Sequence, residues 1–255
     1  MDLVSIVLGQ AVRLLRARNP IGGTYLPDVV TAFRERYGFI EAPSTVAEYQ
    51  ADATKGVTFK HGKFRVGTRQ TAQGRISEEI VIDSLHIFND GLIANTKSFV
   101  EDADLFLDDV IKWSIKSFGY SILEDPPIRH AYTSQVEVSF PKSLVSLFDE
   151  LKGLNDQITT ALAMYGNAPP SYSISGFSLH CDTTKLLPPI PTAFTFERRA
   201  QHPFTSNLYF STAPLKTTDH IKVLEELEKI ASNMRIGKKP ETILGGMIAR
   251  AQKDK

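Results

Sequence analysis

Two hydrophobic periods divide this chain. From Leu3 to Arg18 the apolar residues Leu3, Val4, Val7, Leu8, Ala11, Leu14 and Leu15 recur at helical spacing. Ile6 and Val12 carry the stripe further round, so a helix here is expected to be buried on more than one side. A second helix is predicted from Pro27, which suits a first helical turn, through VVTAFRERY to Gly38 as a stop. After a polar connection, with a short helix around Thr45 to Ala51, the period changes to that of strands. VTFK and KFRVG read as two short strands flanking a tight turn at His61-Gly62. Residues 80–98 read as a hairpin turning at Asp90-Gly91, with Phe88 opposite Ile93 and Leu85 opposite Thr96. Its face of Val81, Leu85, Ile87 and Leu92 needs a core to meet. Ser98 and Glu101 stand at capping-box spacing before a helix carrying Ala103, Phe106, Leu107, Val110, Ile111, Trp113 and Phe118, with Gly119 as the stop.

Pro126-Pro127 forbids helix and marks a boundary between a unit at 1–125 and a unit at 126–255, which one continuous domain can still join. The second unit begins with the alternating strand SQVEVSF. A helix over 141–164 follows, with Leu144, Leu147, Phe148, Leu151, Ile158 and Leu162 inward. SYSISGFSLH, TAFTFE and NLYFS are strands, and Thr217 or Thr218 caps a helix holding Ile221, Leu224, Leu227 and Ile230. The pattern predicts an α+β fold, an antiparallel sheet with helices packed on one face, preceded by an N-terminal helical pair. No internal repeat is legible.

Composition narrows the class. With 42% hydrophobic and 23% charged residues the chain is of ordinary globular type, and no apolar run reaches the ~20 residues that span a bilayer. The single cysteine, Cys181, excludes an internal disulfide and fits a reducing compartment, so a cytoplasmic location is expected. The net charge of zero conceals a segregation. Residues 1–75 carry 11 Lys or Arg against 6 Asp or Glu, and residues 76–125 carry 3 against 11. Residues 126–232 carry 9 against 10, and residues 233–255 carry 6 against 2. Such a distribution marks a nucleic-acid partner, or opposite patches that meet within or between chains.

Candidate chemistry is sparse. GVTFKHGK lacks the glycine spacing of a phosphate-binding loop and has Phe64 where a magnesium-holding hydroxyl belongs. In GFSLH, His180 replaces the small residue that a nucleophile elbow needs after Ser178. His180 and Asp182 point the same way on a strand, and His202 or His220 completes a two-histidine, one-carboxylate metal set. Glu101, Asp104 and Asp108 share a helix face with Asp102 and Asp109 alongside, either as oxygen ligands for a divalent cation or as charges favoured near a helix N-terminus. Arg13, Arg16, Arg18, Arg235, Lys238 and Lys239 are the candidate nucleic-acid contacts, and Arg198 and Arg199, amid aromatics, must point to opposite faces of their strand.

No acid–base, nucleophile or cofactor motif is complete, and no cofactor is implied. The expectation is an intracellular macromolecule-binding or assembly protein, a homo-oligomer or an accessory subunit, that meets its partner through Val4, Val7, Leu8, Leu14 and Leu15. The alternatives are a metal-dependent enzyme at His180, Asp182 and His220, and a nucleic-acid-binding protein using the basic segments.

Overall fold

The N-terminal segment is extended, not helical. In the computed structural model, which describes residues 1–18, 26–49, 56–71, 74–144, 147, 151–164 and 173–235, residues Asp2–Leu14 form strand β1 in the middle of a sheet. Its inward positions are Gly9, Ala11 and Arg13, all buried, while Gln10, Val12 and Leu14 lie half-exposed on the other face. A strand that turns Gly, Ala and Arg inward shows no alternation of hydrophobicity, and apolar residues on both of its faces produce helical spacing by coincidence. The expected N-terminal helical pair therefore reduces to one helix, α1 (Leu26–Tyr37), which Gly38 ends at φ +61°.

The remaining elements are β2 (Ala17–Arg18), α2 (Val46–Tyr49), β3 (Val57–Thr71), β4 (Gly74–Phe88), β5 (Gly91–Thr96), α3 (Val100–Phe118) and β6 (Ser121–Ile122). They continue with β7 (Arg129–Ser139), α4 (Lys152–Met164), β8 (Gly176–Leu179), β9 (Phe194–Arg198), β10 (Leu208–Ala213) and α5 (Thr217–Arg235). Eight strands make one antiparallel sheet in the order β3-β4-β5-β1-β7-β10-β9-β8, and β2 with β6 makes a separate two-stranded clasp. The fold is thus α+β with a large antiparallel sheet.

A repeat invisible in the sequence is plain in the element order. Each half runs strand, helix, three-stranded meander, helix, with the short α2 added in the first, and the sheet order is palindromic about the β1–β7 pair. β5 and β10 are both 6 residues long, α3 and α5 both 19, and 3 residues join strand to helix each time. Each half has its own core on the helical face of the sheet. In the first, Phe33 of α1 stacks on Phe59 of β3 and meets Trp113 of α3 edge-on. In the second, Phe196 stacks on Tyr209 beneath Leu224 of α5. Burial of these apolar faces, at ~25 cal/mol per Å², is the main stabilising contribution. On the opposite face, Gln10, Asn95, Ser84, His86 and Thr58 form a hydrogen-bonded row across β1, β5, β4 and β3, with links of 2.9–3.0 Å.

Three further expectations change. VTFK and KFRVG belong to a single 15-residue strand, β3. His61 sits at φ 56° without turning the chain, and Gly62 makes room for Phe39, whose ring lies 2.4 Å from where a Cβ would stand. The hairpin forms, but its loop is Asn89-Asp90, so Phe88 faces Gly91 and Leu85 faces Ala94. The slip is two residues, which leaves Leu85, Ile87 and Leu92 on the core face. A bulge between Ile82 and Ser84, however, turns Ile82 inward and Val81, expected on that face, out to solvent. The helix expected over 141–164 begins only at Lys152. Leu144 is drawn into the core with its N–H bonded to the Tyr209 hydroxyl, whereas Leu151, Leu154 and Ile158 are exposed.

Gly9 and Gly91, like Gly62 and Gly176, are demanded by close approach rather than by a positive φ. A Cβ on Gly91 would lie 2.4 Å from the Arg13 carbonyl oxygen, and one on Gly9 would lie 2.3 Å from that of Ser98. Gly91→Val and Gly9→Ala are therefore expected to destabilise the protein by roughly 1–3 kcal/mol or more, because the obstacle is backbone. Gly153→Ala, with nothing within 4 Å, should stabilise it by up to about 1 kcal/mol. Urea-melt midpoints of the three variants check both signs.

Candidate functional site

The seam between the repeats concentrates the buried polar groups. Inward from β1, Arg13 reaches Asp104 and, at 3.1 Å, Asp108, both on α3. Lys216, just before α5, reaches Asp104 at 2.9 Å, and the Tyr132 hydroxyl of β7 donates to the same carboxylate at 3.3 Å. Burial alone would raise the Asp104 carboxyl, but Lys216 and Arg13 hold it below its usual range. His130 beside this cluster is pushed down by burial and by Arg13, which favours the neutral ring. Each charge here faces an opposite one, so the cluster works as a clamp between β1, α3 and the start of α5. A second polar group lies inside the second repeat. Ser134 bonds Nδ1 of His220 at 2.6 Å and Ser211 bonds Nε2 at 2.9 Å, all three fully buried. Burial pushes the imidazole down to about 4, and without solvent access it serves the fold.

A third feature is an interruption of the sheet. β5 pairs with β1 only at residues 9–14 and with β4 only at residues 82–88. Beyond Thr96 the chain leaves the sheet for α3, yet β1 continues through residues 8–2 and β4 through residues 81–74. The Thr96 hydroxyl bonds the Val81 carbonyl and closes the ladder. Among the described residues no strand occupies the slot between these facing edges. They lie two strand spacings apart, about 9.6 Å, where they leave β5. Around the slot Leu3, Val4, Val7 and Val81 are 38%, 53%, 38% and 54% exposed.

The fourth is a half-open cavity of about 460 Å³ between α1, the sheet, the second half of α3 and the β2–β6 clasp. Held empty and closed, about 460 Å³ would cost about 11 kcal/mol at ~24 cal/mol per Å³. That equals a whole domain's usual net stability of roughly 5–15 kcal/mol. The space must admit water or a ligand.

The residues singled out from sequence scatter over these features. His180 and Asp182 are exposed at the loop after β8, where Asp182 caps Thr184, and His202 is exposed, while His220 is held between its two serines. Among the described residues no group of three or more His, Cys, Asp and Glu side chains is placed to hold a metal. The acidic run is engaged residue by residue: Glu101 with the Thr218 N–H, Asp102 with Ser98, Asp104 and Asp108 with Arg13, and Asp109 with Arg36 and Tyr37. Arg16 and Arg18 are exposed, Arg13 is buried in the clamp, and Lys238 and Lys239 lie outside the described residues, as does the Arg235 side chain. Arg198 and Arg199 take opposite faces, the first against Phe204 and Tyr209, the second against Phe210 and Glu137. Val4 and Val7 border the slot, Leu8 and Leu14 are half-exposed on β1, and Leu15 lines the cavity. Neither slot nor cavity had a signal in the sequence, because each is assembled from segments far apart in the chain. No helix among the described residues is long and apolar enough to cross a membrane. No family model, curated protein or solved structure matches the chain.

The His220 site predicts a pH dependence. Its folded pKa, about 4, lies below the ordinary ~6.5, so the neutral ring contributes stability that is complete above pH ~6.5 and is lost as pH falls towards 4. The loss is about 3 kcal/mol at ~1.4 kcal/mol per pKa unit. Urea midpoints between pH 8 and pH 4.5 should show it, and His220→Asn, less stable at pH 7, should show a flatter profile.

Proposed function

We propose that this chain is a macromolecule-binding protein that takes an extended segment of a partner protein into the slot between β1 and β4. The observation that carries this reading is the pair of facing strand edges, between which no described strand lies, bordered by the exposed apolar side chains of Leu3, Val4, Val7 and Val81. Open edges are normally blunted by charge, proline or bulges. β1 does carry register shifts at Val4 and Val7. The side chains set there are nonetheless apolar and exposed, which favours contact over repulsion. Backbone N–H and C=O groups on both sides accept only an extended chain, and such a chain of ~6 residues would run on from β5, antiparallel to both neighbours. Alternate side chains of the segment would then meet Val4, Val7 and Val81. The N-terminal segment keeps the role expected of it as a partner contact, as a strand in place of a helix.

Selection from a displayed library of short extended peptides tests this. A selected peptide should slow amide exchange in residues 2–8 and 74–81 and in no other strand. Val7→Glu and Val81→Glu should each weaken its binding by about tenfold or more, the equivalent of ~1.4 kcal/mol. Protection confined to the open sheet face, or binding indifferent to both substitutions, would rule the slot out. Light scattering on the chain alone separates a foreign segment from one supplied by a second copy.

A further inference from the structure

We infer that the cavity of the first repeat is a binding site for an uncharged, largely hydrocarbon small molecule. Its volume, about 460 Å³, falls within the roughly 300–1,000 Å³ of small-molecule sites. The walls come from four directions: Phe33 from α1, Phe59 and Leu92 from the sheet, Ile111 from α3, and Leu15 and Ile122 beside the clasp. Among the described residues that line it none carries a charged side chain, so against these walls a charged ligand would lose its hydration with nothing in return. The polar side chains among the described residues of the wall are Asn89, Ser114 and Tyr120. A peptide inserted here would bring a donor and an acceptor for every residue, far more than these three can satisfy. A hydrocarbon molecule with at most one or two polar atoms matches both the walls and the few partners.

The site is independent of the slot. It is bounded by α1, the C-terminal half of α3 and the end of the sheet where β4 turns into β5, whereas the slot opens at the other end of β5. Failure of one proposal leaves the other standing.

Titration of the full chain with 1-aminoanthracene, an uncharged aromatic fluorophore, tests the inference. The expected result is saturable enhancement at a single site, reversed by 1-decanol. Val30→Phe on α1 and Ile111→Phe on α3 fill the space from opposite walls. Each should weaken binding by about tenfold or more and leave the melting temperature unchanged or raised, since the added ring enters space already present. A diazirine-bearing alkanol photolysed with the unaltered protein should label segments 29–33, 87–92 and 110–115, which decides the matter even if neither variant folds. Absence of saturable binding, full binding in both folded variants, or labelling elsewhere would overturn the assignment.

Discussion

The two long helices, α3 and α5, cannot be closed separately. Their N-termini meet above the β1–β7 seam, and each takes its cap from the other. The Val100 N–H of α3 donates to the Thr217 hydroxyl at 2.9 Å, and the Thr218 N–H of α5 donates to Glu101 at 3.0 Å. Phe99, the residue preceding α3, offers no side-chain cap of its own. Each helix N-terminus carries a partial positive charge, so two brought together repel unless acceptors lie between them. Glu101 and Asp102 supply negative charge at that point, and the buried Thr217 hydroxyl supplies the uncharged acceptor. With one repeat absent the other would expose an uncapped helix and half a sheet, which is why the halves share one sheet.

The same seam accounts for the charge segregation. The positive 1–75 segment and the negative 76–125 segment meet within the chain, through Arg13 with Asp104 and Asp108, Arg36 with Asp109, and Lys63 with Glu79. Of these, Arg13 matters most. A fully buried guanidinium is costly without partners, and a pair is most damaging to break when one charge stays behind. Its position at an inward site of β1 sets that strand against α3, and together with Lys216 it holds the Asp104 carboxyl below its usual range.

How legible this was depended on which residues pointed inward. The meander, α1, α3 and α5 could be read because their inward positions are large and apolar, as with Leu85, Phe106 and Leu224. β1 could not, because Gly9, Ala11 and Arg13 fill its inward positions, each set by a tertiary contact: the chain crossing at Ser98, the packing under α3, and the salt bridge. His61-Gly62 had the composition of a turn, yet Gly62 is glycine to admit the Phe39 ring. The repeat escaped notice because symmetry was kept in element order and in the matched β5–α3 and β10–α5 units while the residues diverged: Ala103 and His220 occupy equivalent places, three residues into α3 and α5, and one packs while the other bonds two serines.

That divergence places both candidate sites in the first repeat. In the second, β8 and β9 have 4 and 5 residues and end together, and the apolar side of α4 is largely left to solvent. In the first, β3 and β4 each have 15 residues and outrun the 6-residue β5 that joins them to β1. A long hairpin beside a short strand leaves a gap at one end of the sheet, which is the slot. At the other end, α1, α3 and the clasp arch over the same meander without meeting in its middle, which leaves the cavity. A uniform pair of repeats would close both spaces by matched packing. Unequal strand lengths on one seam therefore close the second half at its short outer strands and leave the first half with a gap at one end of its sheet and a cavity at the other.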